Sequence, residues 1–102
     1  MLIVCPTIDY EIFLGKNLLS TDEILFKPTE KILKLWKDFN INGTFFPDVC
    51  SVWEHKKNGI NNYVEAFESQ MKQAVLEGHD IQLHLHPEWL SSKLLNGVWY
   101  FK

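Results

Sequence analysis

The chain alternates short apolar runs with amphipathic stretches. Leu2-Ile3-Val4-Cys5-Pro6-Thr7-Ile8 is apolar and β-branched, too short for a helix, and has the character of a strand buried on both faces. Polarity begins at Asp9-Tyr10-Glu11, and Gly15 to Asp22 reads as a loop. Lys27-Pro28-Thr29-Glu30 opens a helix with Pro in its first turn. Ile32, Leu35, Trp36 and Phe39 then recur on one helical face, until Asn40 to Gly43 stops it. Thr44-Phe45-Phe46 is a second strand, ended by Pro47. Asp48 to Trp53 has room for a brief helical turn, and His55 to Asn61 reads as a polar loop. Tyr63, Val64, Phe67, Met71, Ala74 and Val75 share one face of a further helix, with Gly78 at its C-cap. Asp80 to His86 is a third strand, closed by Pro87, and Asn96-Gly97 is a turn into a strand from Val98 to Phe101. The order strand, helix, strand, helix, strand predicts a single α/β domain with a parallel sheet.

Charge and composition narrow the partners. The 10 basic residues are all lysine, against 13 acids, for a net charge of −3. Without a guanidinium the chain lacks the usual tool for bidentate phosphate or guanine contacts, so nucleic acid is not expected. No apolar stretch approaches the ~20 residues that span a bilayer, so no membrane partner is expected. Met1 runs directly into Leu-Ile-Val-Cys without a basic region or cleavage site. The cytoplasm is therefore the expected compartment. Cys5 and Cys50 fit neither a disulfide framework nor a metal cage and are expected to be reduced and buried.

Two polar clusters lie at the ends of expected strands. Asp9 and Glu11 stand two residues apart and project from one side of an extended chain. Two carboxylates so placed repel each other unless one is protonated or a cation lies between them. His84 and His86 have the same spacing, with Leu83 and Leu85 on the opposite side. A same-face imidazole pair suits a divalent metal. His79 is expected to serve the helix C-terminus with a partly cationic ring, and His55 has no expected role. All strands of a parallel sheet end at one edge, where ligand sites form. Asp9, Glu11, His84 and His86 would therefore meet there. Two histidines and a carboxylate with positions left for water are the makings of a hydrolytic metal site.

Thr7-Ile8-Asp9-Tyr10-Glu11, Gly43-Thr44-Phe45-Phe46 and Gly78-His79-Asp80-Ile81-Gln82-Leu83-His84-Leu85-His86-Pro87 resemble the polysaccharide deacetylase (NodB homology) family. The similar branch carries Asp-x-Glu and His-x-His-Pro motifs, and the resemblance covers nearly the whole chain. It implies that residues 1–102 are the N-terminal portion of a distorted (β/α) barrel with parallel strands. It also implies a divalent metal, usually zinc, and hydrolysis of N-acetyl groups on amino-sugar polymers or of a related small amide. By the resemblance Asp9 falls on the catalytic base, Glu11 on the acidic metal ligand and His84 on the first metal-binding histidine. The common family pattern places its second histidine four residues after the first, where this chain has Glu88. Either His86 substitutes, which its shared face with His84 favours, or Glu88 supplies an oxygen.

The later motifs of the family, with an Arg, an Asp/Trp segment and a Leu-His segment bearing the general acid, have no counterpart here. These 102 residues alone are therefore not expected to be a working deacetylase, and an open sheet edge is expected to favour self-association. Two other readings stand beside the hydrolase. One is a non-catalytic α/β remnant that keeps the metal. The other is a small glycan- or protein-binding module that presents Trp89, Trp99 and Tyr100.

Overall fold

The structure is a computed structural model that describes residues 1–14 and 20–101. Three strands, β1 (Thr7–Tyr10), β2 (Thr44–Pro47) and β3 (Asp80–Ile81), form a parallel sheet in the order β1-β2-β3. Between β1 and β2 a π-helical segment, Asp22–Phe26, leads into α1 (Lys27–Asp38). Helices α2 (Val49–Lys57) and α3 (Asn61–Leu76) connect β2 to β3. A 3₁₀ turn, Pro87–Ser91, then leads into an antiparallel hairpin of β4 (Lys93–Leu95) and β5 (Val98–Tyr100). The expected α/β class with a parallel sheet is present; the described residues form no barrel. No helix among them is long and apolar enough to cross a membrane.

Each strand is cut to the length its partner allows. The register runs Thr7↔Thr44 to Tyr10↔Pro47, and Thr44 N–H donates to the Pro6 carbonyl at 3.0 Å. Residues before Thr7 have no opposite strand, so the expected strand from Leu2 starts late. Leu2, Ile3 and Val4 are exposed, and Cys5, expected to be buried, is exposed with them. Nor is β1 buried on both faces: Tyr10 points into the core while Thr7 and Asp9 face out. β3 is shorter than the expected Asp80–His86 for a different reason. Asp80 N–H and Gln82 N–H donate to the Gly43 and Phe45 carbonyls, so every second residue of β2 faces β3. Pro47 comes next on that edge and has no N–H to give. The ladder stops there and resumes only at an isolated parallel bridge, Asp48↔His84.

The helices depart from expectation in detail. The buried stripe of α1 is Thr29, Leu33 and Trp36, while Leu35 and Phe39 are exposed. The expected turn after Pro47 is a full helix, because Asp48 caps it and Lys56 and Lys57 suit its C-terminal dipole. The expected polar loop thus shrinks to the residues around Gly59, and His55 is buried within α2. α3 buries Tyr63, Val64, Phe67, Met71 and Ala74, as its periodicity predicts, but Val75 is exposed. Gly78 has φ +92°, the left-handed conformation that its C-cap position predicts. Of the loop expected over 15–22, residues 15–19 lie outside the described residues, and Asp22 already belongs to the π-helical segment.

The core centres on Tyr10, Phe45, Leu33, Trp36, Phe67 and Trp89. Tyr10 packs edge-on against Phe45 and Phe67 and donates its hydroxyl to Gln70 Oε1 at 2.6 Å. Burial holds its phenol proton well above the ordinary tyrosine range. Trp89, fully buried, packs against His55, Trp99 and Phe101, and so fixes the chain two residues past Pro87.

Candidate metal centre

The C-terminal ends of the sheet bring Glu11, His84 and His86 together. Glu11 follows β1 directly, and alternation keeps it on the outer side between buried Tyr10 and buried Ile12. His84 and His86 lie on the segment that Pro47 frees from the ladder. Their side chains are partly exposed, at 26% and 28%, and that of Glu11 is 28% exposed. Nε2 of His84 lies 3.1 Å from Nε2 of His86 and 3.3 Å from Glu11 Oε2, and His86 Nε2 contacts the same Glu11 oxygen. The two rings stand nearly perpendicular, at 86°. Among the described residues these three form the one group of its kind, with donor atoms all within 4.8 Å of one another.

The donor set fits a divalent ion. Ligands at about 2.0–2.1 Å from a tetrahedral zinc stand roughly 3.3 Å apart; two edges of the triangle, at 3.1 and 3.3 Å, are close to that, and the third, between His86 Nε2 and Glu11 Oε2, is shorter. With both protons on Nε2 the two imidazoles can each donate to the shared Glu11 oxygen, which leaves donor against donor between the rings. One cation could satisfy all three.

Asp9 is brought to the same edge but lies outside this triangle, exposed on β1. Glu88 does not face the triangle either. Its Oε2 lies 3.7 Å from Nδ1 of His86, on the other side of that ring. Of the two alternatives for the second ligand, the geometry thus groups His86 with His84 and gives Glu88 the opposite nitrogen.

The other histidines belong to the core. His79, expected to carry a partly cationic ring, is instead buried beside Trp36 and Phe45, and its Nδ1 accepts from Gly43 N–H at 3.1 Å. That hydrogen bond requires a lone pair on Nδ1. His55 lies under the hairpin, stacked on Tyr63 with centroids 4.0 Å apart and its Nδ1 2.7 Å from the Ser51 carbonyl. Burial pushes its pKa below the ordinary histidine value. Of the aromatics considered for a binding surface, Trp89 is buried and Trp99 half-buried against His55; only Tyr100 is exposed.

Sequence reasoning passed over Asp48. It is fully buried, caps α2 through a 3.1 Å bond from Cys50 N–H, and with the same Oδ1 accepts from His86 N–H at 3.1 Å. Its Oδ2 is buried without a hydrogen-bond partner. Burial raises its pKa, against the pull of those two bonds. The signal was present, since Asp48 is the polar residue just past the second parallel strand, the position that singled out the other two clusters. Comparisons with protein-family models, curated proteins and solved structures found no match to this chain.

Proposed function

We propose that this chain carries the metal centre of a hydrolase that removes N-acetyl groups from amino-sugar polymers or cleaves a related amide C–N bond. The observation that supports it is the convergence of Glu11, His84 and His86 at the edge of a parallel sheet. The resemblance of the Asp-x-Glu and His-x-His-Pro segments to polysaccharide deacetylases supplies the substrate class. In this reading those three side chains hold a divalent ion, zinc by preference for two imidazoles and a carboxylate. A bound ion supplies a Lewis acid for the amide carbonyl. Asp9, exposed at the same edge, accepts the proton that the attacking water gives up. The water oxygen joins the carbonyl carbon, the proton taken up by Asp9 is balanced by one delivered to the nitrogen as the C–N bond breaks, and acetate and the amine leave.

A non-catalytic module that keeps the metal is the second reading. It is favoured by Asp9, which is exposed and lies outside the triangle of donors. Calorimetry with zinc, followed by acetate release from N-acetylglucosamine oligomers, tests both. The hydrolase predicts one zinc per chain, affinity that falls at acid pH because protons compete with the metal for its ligands, and acetate release lost in Asp9→Asn with zinc retained. Zinc binding without acetate release supports the non-catalytic module. A chain that binds no zinc overturns both.

A further inference from the structure

The three residues of the centre come from two separate stretches of chain, and their backbones meet at one residue. Asp48 N–H donates to the carbonyl of Tyr10, the neighbour of Glu11, at 3.0 Å. Asp48 forms the isolated bridge with His84, and Val49 N–H reaches the His84 carbonyl at 3.4 Å. Asp48 Oδ1 accepts from His86 N–H at 3.1 Å. Asp48 and its neighbour Val49 thus tie down the backbone at or beside all three donors, Asp48 itself holding two of the three bonds. We propose that Asp48 is a positioning residue for the metal centre, holding its ligands in register and lending a buried negative charge to the bound cation. This rests on the reading of Glu11, His84 and His86 as ligands.

Charge balance supports the second half. Two neutral imidazoles and one carboxylate leave a divalent ion with one uncompensated positive charge, which is costly at a partly buried site. The carboxylate of Asp48 lies one hydrogen bond from the backbone of His86, and Glu11 repels it as a like charge, which a cation between them would offset. Its Oδ2, buried and without a hydrogen-bond partner, is the oxygen that gains most from a nearby cation. The other oxygen already serves Cys50 and His86. The triangle of donors does not include Asp48, so it acts through His86 and through its charge, not as a ligand.

Asp48→Asn separates these roles from plain helix capping. The amide oxygen still accepts from Cys50 and His86, and Asn is as good a cap as Asp. The charge is lost, and the unbonded Oδ2 is replaced by an amide nitrogen. Calorimetry should show zinc affinity lowered about 10–100-fold, the usual cost of losing an outer partner of a metal ligand. The chelator-treated variant should unfold at no lower temperature than the wild type. Loaded with cobalt(II), it should keep the wild-type visible spectrum, because the same three ligands are held in place. Asp48→Ala removes the acceptor too and should shift that spectrum; should it fail to fold, Asp48→Asn still decides. Wild-type zinc affinity in Asp48→Asn, or losses of affinity and metal-free stability in parallel, would reduce Asp48 to a structural cap and overturn the proposal while the metal reading stands. A wild-type chain that binds no zinc overturns both.

Discussion

The four histidines fall into two pairs that contrast in every physical respect. His55 and His79 are buried, lie among aromatic rings, and each sets Nδ1 against a backbone group: the Ser51 carbonyl for one, Gly43 N–H for the other. His84 and His86 are partly exposed, set their Nε2 atoms against each other, and share one glutamate oxygen. A buried imidazole with a backbone partner has its polar capacity used by the fold. A pair of imidazoles converging on a carboxylate has donor capacity to spare. Burial and ring orientation together separate a core histidine from one whose ring nitrogen is left facing another donor atom.

The sharpest way to break the comparison is to delete each pair in turn. His84→Ala and His86→Ala should each weaken zinc binding by about a hundredfold or more, one ligand's share of the roughly 10–16 kcal/mol that structural zinc sites supply. Their metal-free stability should change by less than about 1 kcal/mol, since both rings are partly in water. Calorimetry and chelator-treated urea unfolding measure the two quantities separately. Wild-type zinc binding in either variant removes that histidine from the centre.

His55→Ala should show the opposite pattern. Removing a ring stacked on Tyr63 and packed against Trp89 and Trp99 leaves a cavity beneath the hairpin. A loss of about 2–4 kcal/mol in urea unfolding is expected, with zinc affinity kept. A variant as stable as the wild type would mean that the hairpin does not depend on this ring.

The pH dependence is a finer form of the same test. Burial lowers the pKa of His55 in the folded state, so the unfolded chain binds the proton more tightly. The stability that His55 contributes is therefore full above the ordinary value of 6.5 and is lost as pH falls below it. Under chelator, His55→Phe should lose less stability than the wild type between pH 7 and pH 5. Equal slopes for the two proteins would place the titrating group elsewhere.

These contrasts also mark what the sequence could tell. Periodicity sufficed for α3 and for the strand-helix alternation, because Tyr63, Val64, Phe67, Met71 and Ala74 face one core. The i, i+2 spacings of Asp9 with Glu11 and of His84 with His86 pointed to the shared edge. Long-range partners were illegible. Whether residues 2–6 join the sheet depends on where β2 begins, and the end of β3 depends on a missing N–H at Pro47, more than thirty residues earlier in the chain. His55 sat in a polar-looking run whose helix only the Asp48 cap and the packing of the hairpin reveal. Asp48 itself escaped notice because its value lies in bonds to Tyr10, Cys50 and His86, which no local pattern records.

The smallest expected effect bears on the one residue that spacing alone offered as an alternative ligand. Glu88 faces Nδ1 of His86 at 3.7 Å with a side chain 58% exposed, so its pull on the ring is that of a surface pair, worth about 0–1 kcal/mol. It can favour the tautomer that carries its proton on Nδ1 and leaves Nε2 free for a metal, the role that carboxylates beside ligand histidines commonly fill. Glu88→Gln keeps an acceptor oxygen at that distance and should lower zinc affinity by no more than about threefold, an effect that added salt further reduces. A drop on the scale of His84→Ala would instead place a Glu88 oxygen on the ion. The carboxylate would then have to swing from one side of the His86 ring to the other, and the triangle of Glu11, His84 and His86 would no longer be the whole centre.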